Sequence, residues 1–306
     1  MAITNGFEMV FNRRLIFGEN KVTEIPGILN WYNKKKVLFV ATVVKTHINT
    51  FHLPFLKMFK EYGWEVHVAA KNDFVDEPCV IPNCDRHFDI DFARSPFSKS
   101  NIKAYKQLKQ IIETNHYDII HCHTPVAGVL TRLAARTAKG TTVIYTAHGF
   151  HFYQGAPLIN WLVYYPVERV CGKFTDKLIT VNQEDYHRAN SWRLRNNGKI
   201  YYVPGIGVDL EEIQNISINK VQKKKEIGIS NDVKVLLSVG ELNKNKNHEI
   251  IIRVLSKLTN KNFIYLICGN GELKEYLKNL AKELGVSDKV KFLGYRKDVL
   301  EIYKIA

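Results

Sequence analysis

The 306-residue chain is 45% apolar and 24% charged, the balance of a soluble globular protein long enough for two domains. No run approaches the roughly 20 apolar residues of a membrane span, and the N-terminus lacks the apolar core of a signal peptide. Forty-four Lys plus Arg against thirty Asp plus Glu give a formal charge of +14, which favours anionic partners; without a zinc-finger, RNP or helix-turn-helix pattern, nucleic acid is set aside and an anionic membrane surface is kept.

Residues 1–33 stand apart, with MVFNRRLIFGENKVTEIPGILNWYN reading as a strand, a turn at Gly18 and a short helix. From residue 37 onward, short β-branched runs alternate with amphipathic helical stretches. The predicted strands are VLFVAT (37–42), VHVAA (66–70), DIIHCH (118–123), TVIYTA (142–147), KLITV (177–181) and IYYVPG (200–205). Between them, NIKAYKQLKQIIETN (101–115) places Ile102, Tyr105, Leu108, Ile111 and Ile112 on one helical face. Apolar strands alternating with helices imply a parallel sheet covered on both faces, a Rossmann-like α/β domain. The aromatic stretch APLINWLVYYPVERV (156–170) also has helical spacing; its Leu158, Trp161, Leu162 and Tyr165 suit either a core or a membrane interface. The pattern restarts with VKVLLSVG (233–240), FIYLICGNG (263–271) and VKFLGY (290–295), separated by helices over 247–258 and 272–284. The chain therefore divides into an N-terminal extension (1–33), a first Rossmann-like domain (34–206) and a partial second one (207–306) whose three strands leave an apolar edge. Cysteines 79, 84, 122, 171 and 268 follow no disulfide or zinc spacing and read as reduced structural thiols.

Three kinds of strand end carry chemistry. In HCH (121–123) both histidines share a strand face and could converge on a ligand. Zinc would need a third protein ligand, and Gly149 and Phe150 send the nearest candidates, His148 and His151, in different directions; a polar rim at the sheet's carboxyl edge is preferred to a metal. In TAHGFHFYQG (146–155) His148 ends a strand and Gly149 permits a sharp turn. Its imidazole can hydrogen-bond a ligand hydroxyl, with Phe150, Phe152 and Tyr153 as apolar walls, while His151 reads as loop structure. In SVGELNKNKNH (238–248) Gly240 ends a strand ahead of a helix N-terminus that would collect an anion, and Lys246 adds a point charge for a phosphate. CGNGEL (268–273) repeats this logic with Gly269 and Gly271. Together these junctions predict a cleft with hydroxyl recognition on one wall and phosphate recognition on the other.

HCHTPVAG, TAHGFHFYQGAP, VPGIGVDL, SVGELNKNKNH, CGNGEL and FLGY stand in the order and approximate spacing of family 4 glycosyltransferases of the GT-B fold. Over residues 36–306 the chain resembles the branch that builds exopolysaccharides and capsules. The resemblance implies two Rossmann-like domains facing across a cleft. It implies retaining transfer, without metal or other cofactor, from a nucleotide-sugar (a UDP-sugar is expected) to a lipid-linked glycan. It further implies a cytoplasmic protein, peripheral on the inner membrane face, working beside partner polysaccharide-biosynthesis proteins. His148 matches the histidine that contacts the donor sugar near its C6 hydroxyl, and Lys246 with Gly240 matches the diphosphate site. Gly269 and Gly271 match the loop beside the nucleotide, and the backbone at Tyr295 and Arg296 matches the base-binding segment. Lys45 and His47, in VVKTHINTF, would line the acceptor side with His123.

Two departures accompany the resemblance. Glu241 stands where many relatives carry an arginine and is expected to turn from the phosphates. The family's E-x7-E segment would follow Ala306, so the chain reads as cut before it; part of the donor site would be missing, which could abolish turnover. A non-catalytic nucleotide-sugar-binding subunit completed by a partner is the rival reading. A metal-dependent oxidoreductase is the third, suggested by the histidines and by residues 1–33, which faintly resemble the opening of iron-dependent alcohol dehydrogenases.

Overall fold

The computed structural model describes residues 36–93, 95–205, 210–259 and 262–306; the elements predicted for 1–33 lie outside them. The chain forms two compact units that meet in sequence at Val208 and Asp209. In the first, the apolar runs become seven parallel strands: β1 (Lys36–Val43), β2 (Glu65–Lys71), β3 (Arg86–Asp89), β4 (Ile119–His123), β5 (Thr142–Ala147), β6 (Lys177–Thr180) and β7 (Lys199–Tyr202). Their order is 3-2-1-4-5-6-7. β3, absent from the predicted strands, is an edge strand with Arg86 and Asp89 exposed, so it carries no apolar run to announce it. Alternate residues of β1 feed opposite cores: Leu38 and Val40 pack with Leu108, Ile120 and Tyr145, while Val37 and Phe39 pack with Leu56, Val66 and Ile119. The helices of this unit are α1 (Leu53–Glu61), α2 (Ser100–Asn115), α3 (Pro125–Ala134), α4 (Leu158–Gly172) and α5 (Gln183–Ala189).

In two helices the residues singled out in the sequence divide between core and surface; in α2, Tyr105, Leu108, Ile111 and Ile112 meet the core as expected. In α2, Ile102 is 61% exposed, whereas Asn101, Ala104, Leu108 and Ile112 are buried. Asn101 fixes that rotation by accepting from the Ala93 N–H at 3.1 Å and donating to the Ser95 carbonyl at 2.9 Å. In α4, Trp161 and Tyr165 pack on the core, but Leu158 and Leu162 are exposed. The helix is held by a buried ion pair: Arg132 of α3, 1% exposed, places Nη1 2.8 Å from Glu168 Oε2 and lies over the Tyr145 ring.

The second unit contains α6 (Leu210–Asn215), α7 (Lys220–Ile227), β8 (Lys234–Val239), α8 (His248–Lys257), β9 (Phe263–Cys268), α9 (Lys274–Glu283), β10 (Val290–Gly294) and α10 (Val299–Tyr303). Its strands are parallel in the order 10-9-8, with β9 central and nearly all buried and with Leu236 and Val239 of β8 exposed. Among the described residues no helix is long and apolar enough to cross a membrane.

Breaking the Arg132–Glu168 pair leaves a carboxylate buried without its cation, so Arg132→Met is expected to lower unfolding stability by about 3–5 kcal/mol. The exposed Ile102→Ser is expected to change it by about 0.5 kcal/mol or less. Urea denaturation of both variants checks the pair of values.

Candidate functional site

Strand order reverses on either side of β1, so the loops leaving β1 and β4 diverge at the sheet's carboxyl edge and leave a crevice there. β1 runs into a π-helical turn, Val44–Ile48, which inserts one residue per turn relative to an α-helix. Asp73 holds this turn by accepting from the Lys45 and Thr46 N–H groups and from Thr46 Oγ1 at 2.5, 3.2 and 2.9 Å. The Lys45 ammonium is paired with Glu77. His47 leaves this turn, His52 precedes α1, His123 is the last residue of β4 and His148 the first after β5. Ring nitrogens of these four histidines all lie within 4.8 Å of one another. His123 Nδ1 is 3.4 Å from His148 Nε2. His121, on the same face one pleat deeper, hydrogen-bonds Thr146 Oγ1 at 2.8 Å.

The backbone is forced into unusual shapes to bring these rings together. Thr124, directly after His123, has φ 62° and ψ 149°, a strained conformation for a β-branched residue that costs of order 1–3 kcal/mol. Its Oγ1 bonds Thr42 Oγ1 at 2.7 Å and ties the ends of β1 and β4. Gly149 has φ 125°, open to glycine alone, and turns the chain immediately after His148. A cavity of about 20 Å³, lined by His52, His123, Thr146 and His148, lies within the cluster. A larger one of about 580 Å³, lined chiefly by apolar side chains of α3 and α4 and by Thr46 and His47, adjoins it.

Burial governs the protonation of these groups. It lowers His47 and His148 to about 4 and His121 to about 3, and holds His52 and His123 well below the ordinary histidine value; repulsion among the imidazoles adds to the effect in all but His148. His148 has an edge open to solvent, yet the surrounding rings and strands desolvate most of it. At neutral pH the cluster is a set of uncharged imidazoles, each with one donor and one acceptor nitrogen.

The loop after β5 differs from its predicted form. Phe150 and Phe152 do not wall a pocket; their rings stack 4.7 Å apart inside the core against Trp192. Asp185 of α5 accepts from the Phe150 N–H at 2.9 Å and anchors them, while Tyr153 remains exposed. His151 stacks on Tyr164 and its carbonyl accepts from Asn160. In the first unit, then, His47, His123 and His148 come together, Lys45 is turned to Glu77, and His52 joins without having been foreseen. A second histidine five residues after His47 was the available signal; the π turn removed the α-helical register that would have linked them.

In the second unit the glycines allow two strand-end loops to interlock. A Cβ on Gly269 would lie 1.9 Å from the Gly240 carbonyl oxygen, and one on Gly271 would lie 2.5 Å from that of Leu242. The Leu242 N–H donates to the Asn270 carbonyl, and the Gly269 N–H to that of Gly294, which brings Tyr295 to the same edge. The methylenes of Lys246 run along Gly240, 3.5–3.7 Å from where a Cβ would stand. Asn247 starts α8 without a side-chain cap bond. Glu241 is exposed, its carboxylate accepting from Asn243 Nδ2 at 2.9 Å. Tyr295 is exposed, but the Arg296 guanidinium is committed to Asp298 and Glu226, a network that Lys223 joins through Asp298, Glu226 and Glu301.

Known proteins are similar to this chain in sequence and in architecture. Residues 36–182 match the family model "Glycosyl transferase 4-like" and residues 219–306 match "Glycosyl transferases group 1". The chain is 44% identical over 277 residues to the "Putative glycosyltransferase EpsD" of Bacillus subtilis, covering 89% of this chain and 71% of that protein. It is 34% identical over 212 residues to the UDP-Gal:alpha-D-GlcNAc-diphosphoundecaprenol alpha-1,3-galactosyltransferase of Escherichia coli, covering 67% of this chain and 53% of that one. Anabaena HepE, crystallised with UDP and glucose, has the same fold, with a TM-score of 0.66 at 20% identity over 89% of this chain and 72% of its own.

The neutral histidines make stability depend on pH. Their folded values lie below the unfolded 6.5, so between pH 6.5 and about 4 the unfolded chain binds protons that the folded chain does not, and stability rises with pH across that window. Protein freed of divalent cations with EDTA is expected to lose urea resistance progressively as pH falls from 6.5 towards 4. A flat profile would contradict a buried neutral cluster.

Proposed function

The chain belongs to the family 4-like, group 1 glycosyltransferases, and from that membership we propose that it transfers a sugar, with retained configuration, from a UDP-sugar to a lipid-linked glycan in exopolysaccharide or capsule biosynthesis. The observation that carries the donor assignment is Lys246 laid along Gly240 at the start of α8. An ammonium and uncapped helix N–H groups at one strand end suit a diphosphate leaving group, whose developing charge they would stabilise without reorganising. Gly269, Gly271 and the backbone at Tyr295 and Arg296 are assigned to the nucleotide; the side chain of Arg296 is occupied elsewhere.

His148 is assigned to a hydroxyl of the donor sugar. A neutral imidazole can hold that hydroxyl without setting a positive charge beside an oxocarbenium-like centre. His47 and His123 are assigned to the acceptor side. The Escherichia coli relative's name places its acceptor on diphosphoundecaprenol, which supports a lipid-linked acceptor here. The charge of +14 and the exposed Leu158, Ile159 and Leu162 of α4 support a peripheral position at an anionic inner membrane face.

Lys246→Ala is expected to remove about 1.5–3 kcal/mol of transition-state stabilisation, about 10- to 160-fold in kcat/KM, because a charge-assisted bond is lost. Its side chain is exposed, so thermal stability should stay near that of the parent. Transfer from UDP-sugars to a polyprenyl-diphosphate glycan measures it. Unchanged kcat/KM would overturn the role of Lys246, and failure of the parent chain to bind or turn over any nucleotide-sugar would overturn the donor reading.

A further inference from the structure

The large cavity beside the histidine cluster is too apolar to serve hydroxyl recognition alone. We propose that it holds the hydrocarbon chain of the acceptor, a polyisoprenyl chain lying between α3 and α4, with the linkage and glycan left outside it at the strand ends; this rests on the transfer reading above. Its volume of about 580 Å³ is that of a site enclosing a small organic ligand, which typically spans about 300–1,000 Å³. One end belongs to the strand edge and is polar, with Thr42, Thr46, His47 and Thr124. Beyond it the walls turn apolar: α3 contributes Val126, Val129 and Leu130, and α4 contributes Val163 and Val167.

Charge decides which part of a lipid-linked acceptor fits. Among the described residues no lysine or arginine lines the cavity, and its one carboxylate, Glu168, is paired with Arg132 at 2.8 Å. A diphosphate inside would lose its hydration and gain no cation, so hydrocarbon is the part that gains by entering. The way in is marked on α4. Ile159, Val163, Val167 and Val170 follow at spacings of four, four and three residues and share one helical stripe. Val163 and Val167 line the cavity, whereas Ile159 and Val170 are 61% and 50% exposed. Phe97, also on the lining, is 78% exposed. The apolar wall therefore continues onto the surface, at the side of α4 proposed to meet the membrane. A chain leaving the bilayer there stays against apolar side chains along its path, and each methylene buried strengthens binding about fourfold. At the opposite end His47 Nε2 is buried without a hydrogen-bond partner, and a polar atom of the acceptor reaching it would satisfy that orphan. The acyl chain of a bulk phospholipid could use the same walls but would bring nothing to His47, because its head group stays at the membrane.

The test titrates the full chain calorimetrically, without sugar donor or vesicles, with dimethylallyl, geranyl and farnesyl diphosphate, which share a head group and differ by one isoprene unit each. One equivalent should bind, with affinity rising about tenfold or more for each added unit. Val163→Trp, which fills the cavity, and Val129→Asp, which sets a carboxylate in its wall, should each weaken farnesyl diphosphate about tenfold or more, with circular dichroism and UDP affinity at the parent's values. Val221→Ser, at an exposed position of the second unit, should change nothing. Affinity independent of chain length, or unchanged in both cavity variants, would overturn the site, and the chain-length series on the parent decides even where a variant fails to fold. Displacement of farnesyl diphosphate by an equal concentration of dihexanoyl phosphatidylglycerol would overturn the choice of occupant. UDP binding tests the transfer reading separately: farnesyl diphosphate bound and UDP refused would overturn that reading and leave an isoprenoid site, and UDP bound without farnesyl diphosphate would do the reverse.

Discussion

The arrangement of the first unit depends on one reversal of direction in an all-parallel sheet. Every strand delivers its carboxyl end to the same edge, and the order 3-2-1-4-5-6-7 makes the connections from β1 and β4 leave in opposite senses. Backbone groups at that point cannot all be satisfied by the ladder, so side chains and ligands take their place. His47, His123 and His148 are separated by up to a hundred residues of chain, yet all three follow strands that end at this edge. The tie between Thr42 and Thr124 and the strained φ of Thr124 are the local cost of holding two such ends together.

Desolvation then sets the chemistry. The same rings in water would titrate near neutrality; packed among Phe39, Phe51, Phe55 and one another they remain uncharged and can donate and accept. The second unit solves a different problem with backbone. Gly269 and Gly271 let two strand-end loops interlock at distances no side chain permits, and the stem of Lys246 lies alongside Gly240. The first unit thus gathers neutral imidazoles at its strand ends, and the second sets an ammonium beside a glycine at one of its own.

Much of this was legible in residue pattern, and the exceptions have identifiable causes. TVIYTA became a strand end to end because β-branched residues buried on both faces leave little choice. RHFD was missed because an edge strand need not be apolar. The inner face of α2 is legible at Tyr105, Leu108, Ile111 and Ile112; only Ile102 in its first turn falls outside it, where two hydrogen bonds of Asn101, invisible to apolar periodicity, set the start of the helix. Phe150 and Phe152 were given the wrong surroundings for a related reason: in a loop no period tells inside from outside, and a buried carboxylate, Asp185, pulls the backbone inward. The strand ends that carry His148, Gly240 and Gly269 were legible because an apolar run closed by glycine marks where a strand stops. His52 was not, since its place depends on a π turn that no propensity announces.

The proposed donor site requires the second unit to hold a nucleoside diphosphate through Lys246. Calorimetric titration of the full chain with UDP and with uridine tests it most directly. The account predicts that UDP binds far more tightly than uridine and that Lys246→Ala erases most of the difference while leaving uridine binding unchanged. Equal affinity for the two ligands, or a difference untouched by the substitution, would contradict it.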